Sequence, residues 1–187
     1  MGDIGVHAFQ LAEHVSGLRA SELCADLNRV VPGRALDDDG TVLLRFQNGA
    51  SGTLVASQIC TGDENDLRLR VYGDAASLEW RQQEPNTLWL KPAHAPAQQL
   101  RTGGPGLGAA AQAHTRLPSG HPEGYLEAFA NLYRTFATQV RAHATGTQPA
   151  HTVPGIGSAL RGMAFIDTVV AASKSTQKWH KFPEVDV

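Results

Sequence analysis

The chain is poor in the features that would place it quickly. It has two cysteines in 187 residues, Cys24 and Cys60, far apart and with no C-x-x-C spacing, so neither a disulfide framework nor a cysteine metal site is read; both are expected to be small buried side chains. No basic block stands out among 16 Lys and Arg against 18 Asp and Glu, and the net charge of -2 argues against nucleic acid or an anionic membrane as partner. Long apolar runs are missing, as is the charged-then-apolar start of a signal peptide, which leads us to expect a cytoplasmic protein without a membrane span. His14, His94, His114, His143, His151 and His180 lack a ligand-like mutual spacing, and no metal site is expected.

What is present is a 42% hydrophobic chain, long enough for one good core, and a single domain over 1–187 is expected. The opening "DIGVHAFQLAEHVSG" places Leu11, Val15 and Leu18 at helical spacing from about Asp3, with Gly17 as a stop. Strands follow. "SELCADLNRVV" is extended, and "TVLLRFQNGASGTLVASQIC" is a hairpin turning at Asn48-Gly49. "LRLRVYGD", "ASLEWRQ", "TLWLKP" and "AQQLR" continue at short spacing, giving an antiparallel sheet of about six strands. Residues 102–120, rich in Gly and Ala, are expected to form a mobile surface loop. A helix then carries Tyr125, Phe129, Leu132, Tyr133, Phe136, Val140 and Ala144 on one stripe, with Pro122 in its first turn. A second, from about Gly155 to Lys174, is expected to pack beside it. The fold class is α+β: an open, mostly antiparallel sheet with helices on one face.

Two motifs invite a chemical reading. Gly104, Gly106 and Ala109 satisfy the G-x-G-x-x-G/A spacing, but Pro105 intervenes and no apolar strand follows, so a flexible loop is preferred and no residue is assigned to cofactor binding. Asp3 and His7, four apart, share a helix face, and the carboxylate can orient the imidazole to take a proton from a substrate hydroxyl. The plainer alternative makes Asp3 an N-cap and His7 a partly buried helix residue.

The string "GDIGVHAFQLAEHVSG" resembles the start of the C-terminal domain of the Gfo/Idh/MocA oxidoreductases, whose D-x-x-x-H motif it matches at Asp3 and His7. "ENDLRLRVYGDAASLEW", "GHPEGYLEAFANLYRTFA" and "GSALRGMAFIDTVVAASKSTQKW" resemble later stretches of the same domain, in the same order. The resemblance implies part of an NAD(P)-dependent sugar or polyol dehydrogenase or reductase, with His7 as proton donor or acceptor and Asp3 as its orienting partner. Gln58, Asn65 and His121 are candidates for a sugar pocket; their plainer readings are a solvent-facing strand residue, a turn former and a helix cap. The family's Rossmann domain and Glu-Lys-Pro motif have no match in these residues, Lys91-Pro92 lying in the strand region. The chain is therefore expected to be the substrate-side half of such an enzyme, inactive and without NAD or NADP binding on its own. The alternative is a stand-alone module that binds carbohydrate or mediates assembly. Arg68, Arg70, Tyr72 and Trp89 on an open sheet face, together with the family's habit of associating through sheets, lead us to expect a homodimer or higher homo-oligomer.

Overall fold

In the computed structural model, which describes residues 1–185, the chain gathers into two compact units where one domain over 1–187 is expected from the sequence. The first unit comprises 1–64 and 154–187, and the second 65–153.

In the first unit, helix α1 (Gly5–Ser16) ends where Gly17 adopts φ 68° and its N–H reaches the Glu13 carbonyl at 2.9 Å. Strands β1 (Ala20–Asn28), β2 (Asp39–Phe46) and β3 (Ser51–Ser57) pair antiparallel. The β2–β3 hairpin turns at Asn48-Gly49 as its sequence demands, with Gly49 at φ 88°. One face of β1–β3 is apolar by alternation: Leu23, Val42, Leu44, Leu54 and Ala56 are buried. Helices α1 and α4 (Ile156–Ser173) cover that face, burying Phe9, Phe165 and Val169, and the Phe9 and Phe165 rings stack at 4.2 Å. A two-residue strand, β8 (His180–Lys181 in chain order after the second unit's strands), completes the sheet in the order β3-β2-β1-β8.

Several expectations are corrected here. The packing face of α1 is Gly5, Phe9 and Glu13, and Val15 is exposed. Within its unit α4 packs against α1, Gly162 bringing it against Val6 and Gln10. α4 is also long and apolar enough, 18 residues at mean hydropathy 1.2, to cross a membrane by length and composition; it packs one face on β1, as a core helix does. Cys60 is exposed beyond the end of β3, while Cys24 is half-buried.

Where α1 leaves the sheet, a charge is buried and answered in full. The Glu13 carboxylate, 8% exposed, receives Arg161 Nε and Nη2, both at 2.6 Å, the Ala20 N–H at 2.8 Å and Arg19 at 3.2 Å. Arg161 also donates to the Ala20 carbonyl and lies 4.2 Å above the Phe182 ring.

The second unit holds a separate four-stranded antiparallel sheet, β4 (Arg68–Tyr72), β5 (Ala76–Arg81), β6 (Thr87–Pro92) and β7 (Gln98–Arg101), in sequential order. The expected sheet of about six strands is thus two sheets of four. Cross-strand register puts Arg70 opposite Glu79 and Glu79 opposite Trp89, so one face carries an ion-paired row, with Lys91 2.5 Å from Glu79. That ammonium, with Arg70 beside it, holds the Glu79 carboxyl below its ordinary range. Leu69, Val71, Leu78, Leu88, Leu90 and Leu100 alternate onto the opposite face.

Residues 102–120 are not a bare loop. They contain a short helix, α2 (Ala109–His114), and are tied down at both ends. The Glu123 carboxylate accepts the Arg116 and Leu117 N–H groups at 2.6 and 2.7 Å, and Asn131 accepts Arg116 Nε and donates to the His114 carbonyl. Helix α3 (Tyr125–Ala144) starts after Pro122, at Gly124, whose N–H is capped by Glu127 at 2.8 Å. That contact lowers the Glu127 pKa. Its apolar stripe is exposed, Tyr125 and Tyr133 both at 72%.

Candidate active site

Asp3 lies in the turn that feeds α1, and His7 on the first turn of the helix; both are exposed. Asp3 is not an N-cap, since Ile4 takes that position without a side-chain hydrogen bond. The expected Asp3–His7 hydrogen bond is not formed among the described residues. The carboxylate instead accepts Gln58 Nε2 at 2.8 Å. Asp3 and Gln58, read separately from the sequence, are therefore neighbours.

Gln58 stands one residue past β3, and its backbone is fixed: its N–H donates to the Asp38 carbonyl at 2.8 Å. Asp38 is the keystone of the β1–β2 connection. Its buried carboxylate accepts the Val30 N–H at 2.8 Å and the Val31 N–H at 2.9 Å, with Arg34 at 3.6 Å. The two backbone N–H groups first, and the Arg34 guanidinium after them, hold the Asp38 carboxyl below its ordinary value. The connection so folded forms a wall opposite Asp3 and Gln58. Together they line an open cleft of about 580 Å³ whose polar groups are Asp3, Gln58, Arg34, Asp37 and Asp38. Sequence reasoning missed Asp38; three consecutive aspartates at 37–39 before a strand suggest a solvated turn, and only the folded loop reveals the buried member.

Asn65 and His121 belong to the second unit. Asn65 is an exposed turn residue whose carbonyl receives the Leu67 N–H at 2.6 Å. His121 is exposed and does not cap α3; its Nδ1 lies 3.1 Å from the Pro118 carbonyl, closing a local turn. Among the described residues no group of His, Cys, Asp and Glu is arranged to hold a metal ion.

The Gly104-Gly106-Ala109 spacing does sit between a strand and a helix, but not ones that suit a dinucleotide. β7 is a four-residue strand antiparallel to β6, and α2 has only six residues, whereas a pyrophosphate needs a parallel strand leading to a long helix dipole. These residues do not fit a nicotinamide dinucleotide.

Comparison with known proteins gives the site its setting. Residues 1–79 match the family described as the GFO/IDH/MocA C-terminal domain. An uncharacterized oxidoreductase of Bacillus subtilis, YfiI, is 31% identical over 187 residues, covering 97% of this chain and 48% of that protein. The crystal structure of an oxidoreductase from Sinorhizobium meliloti superposes with a TM-score of 0.91 at 45% identity, over 96% of this chain and 51% of its own. An inositol dehydrogenase homolog from Azotobacter vinelandii, solved with NADH and myo-inositol, gives 0.86 at 29% identity, over 96% of this chain and 49% of its own. The chain spans about half the length of the relatives it matches. With the family match across the residues that carry Asp3, His7 and Gln58, and the same fold across nearly the whole chain, this protein is similar to the C-terminal domain of the Gfo/Idh/MocA oxidoreductases.

Proposed function

We propose that this chain is the substrate-side domain of an NAD(P)-dependent sugar or polyol dehydrogenase or reductase, with His7 as the acid/base and Asp3 at its side. The observation that carries the reading is the cleft beside α1, where the Asp3 carboxylate is held by Gln58 one helical turn before an exposed His7. The myo-inositol bound by the Azotobacter relative supports a polyhydroxylated substrate. A cleft lined by three carboxylates, an amide and a guanidinium offers both donors and acceptors to such hydroxyls. His7 can accept the hydroxyl proton as hydride leaves the same carbon, and return it in reduction. A nicotinamide, when bound, would supply the hydride acceptor. A cytoplasmic location and a homodimer through the open β4–β7 sheet face go with this reading.

The test uses a protein in which a matching cofactor domain precedes these residues. NAD(P)-dependent oxidation of a polyol is expected, lowered about a hundredfold or more by His7→Ala, the usual scale for a lost general base. Indifference of turnover to His7→Ala overturns the acid/base role. The isolated 187 residues are expected to bind no NAD(P)H in titration calorimetry, and saturable binding overturns that part. Saturable polyol binding with no turnover in the two-domain protein points instead to a carbohydrate-binding module.

A further inference from the structure

We propose that Gln58 is a positioning residue that aims the Asp3 carboxylate into the cleft, rather than a ligand for the sugar; the inference rests on the acid/base reading of Asp3 and His7. Three observations support it. The amide Nε2 is spent on Asp3 at 2.8 Å, which is the carboxylate's one side-chain hydrogen bond among the described residues. The Gln58 backbone is anchored by the 2.8 Å bond to the Asp38 carbonyl, and Asp38 is itself fixed by the Val30 and Val31 N–H groups. The Asp3 end is anchored as well, because α1 begins against β3: a Cβ on Gly5 would stand 3.4 Å from that of Ala56. Two rigid elements thus fix the two ends of one amide–carboxylate bond, the arrangement that holds a reacting group to a fraction of an ångström.

The physical consequence is orientation. An exposed aspartate in a turn samples several rotamers, and a carboxylate that swings away from the reacting hydroxyl and from His7 contributes only for the fraction of time it is aligned. The amide bond selects one rotamer and leaves the second carboxylate oxygen free. Because Gln58 acts through Asp3, its removal must cost turnover only while Asp3 is present.

The experiment is a double-mutant cycle in the two-domain protein, with Gln58→Ala, Gln58→Glu, Asp3→Asn and the combined variants, read as kcat and KM separately. Gln58→Ala is expected to lower kcat about tenfold, short of the hundredfold that a 1 Å misplacement can cost, with KM within about twofold. Gln58→Glu, equal in length but without the donor and repelling Asp3, is expected to lower kcat at least as much. In the Asp3→Asn background Gln58→Ala should change kcat no further. An equal kcat loss in both backgrounds, or an effect mainly on KM, overturns the proposal and returns Gln58 to substrate binding. The side-chain amide resonance of Gln58 in NMR gives a readout independent of turnover: it should move on Asp3→Asn, and an unmoved resonance overturns the contact. If Asp3→Asn and His7→Ala leave kcat intact, the acid/base reading itself falls, whatever Gln58 does.

Discussion

Two charged residues, Glu13 and Asp38, are buried in places that the sequence pattern hides. Glu13 occupies a position where the α1 stripe calls for an apolar side chain, and it is tolerated because Arg161, Arg19 and the Ala20 N–H satisfy it. Glu13→Ala leaves the Arg161 guanidinium buried without its partner, and a loss of about 3–5 kcal/mol is expected in urea unfolding. Glu13→Ala combined with Arg161→Met should recover much of that loss, since no charge is then left unpaired. Asp38 makes a pH prediction. Its pKa is lowered from 3.8 in the fold by the Val30 and Val31 N–H groups, so its stabilising contribution is complete above the unfolded value and disappears as pH falls through the lower folded one. The Val30 and Val31 amide resonances are therefore expected to titrate together with a midpoint below 3.8, and that titration should vanish in Asp38→Asn. Neither residue could be recognised from spacing, because Glu13 meets Arg161 148 residues away and the Val30 and Val31 N–H groups reach Asp38 only through an irregular loop that leaves no period.

At the scale of elements, the hairpin was legible because its requirement is local. Gly49 at φ 88° follows Asn48, and the flanking residues alternate, which determines both the turn and the register. Gly49→Ala, placing a Cβ in the left-handed region, is expected to cost about 1–2 kcal/mol in thermal unfolding. Where α1 would pack was less legible. Leu11, Val15 and Leu18 compete with Phe9 and Glu13 for the buried face, and the choice falls to Phe9 because Phe165 and Phe182 stack on its ring. The segment 102–120 reads as a loop by composition, yet Glu123 and Asn131, outside it, supply the hydrogen bonds that order it. Such side-chain-to-backbone ties leave no periodic trace.

For the whole molecule, association is the property most open to test. On the β4–β7 sheet, Tyr72, 75% exposed, and Trp89 share a face with the paired Arg70, Glu79 and Lys91; aromatic side chains and Arg are enriched at interfaces, and the Glu79 charge is already answered within the sheet. A dimer is expected by light scattering, with Tyr72→Asp and Trp89→Asp together shifting it to monomer at micromolar concentration without altering the far-UV circular dichroism; an unchanged dimer places the interface elsewhere. The sequence by itself determined the α+β class, the hairpin, the strand series in 68–101 and the two long helices, because each rests on contacts between residues close in the chain. Only the tertiary structure decided that the strands form two sheets, that α4 packs on α1, that Glu13 meets Arg161, 148 residues away, and that the carboxylate of Asp3 is held by Gln58, 55 residues on. Those pairings depend on how the chain returns upon itself, and the free energy that selects among returns comes from burying whole faces and satisfying buried polar groups, which no local window contains.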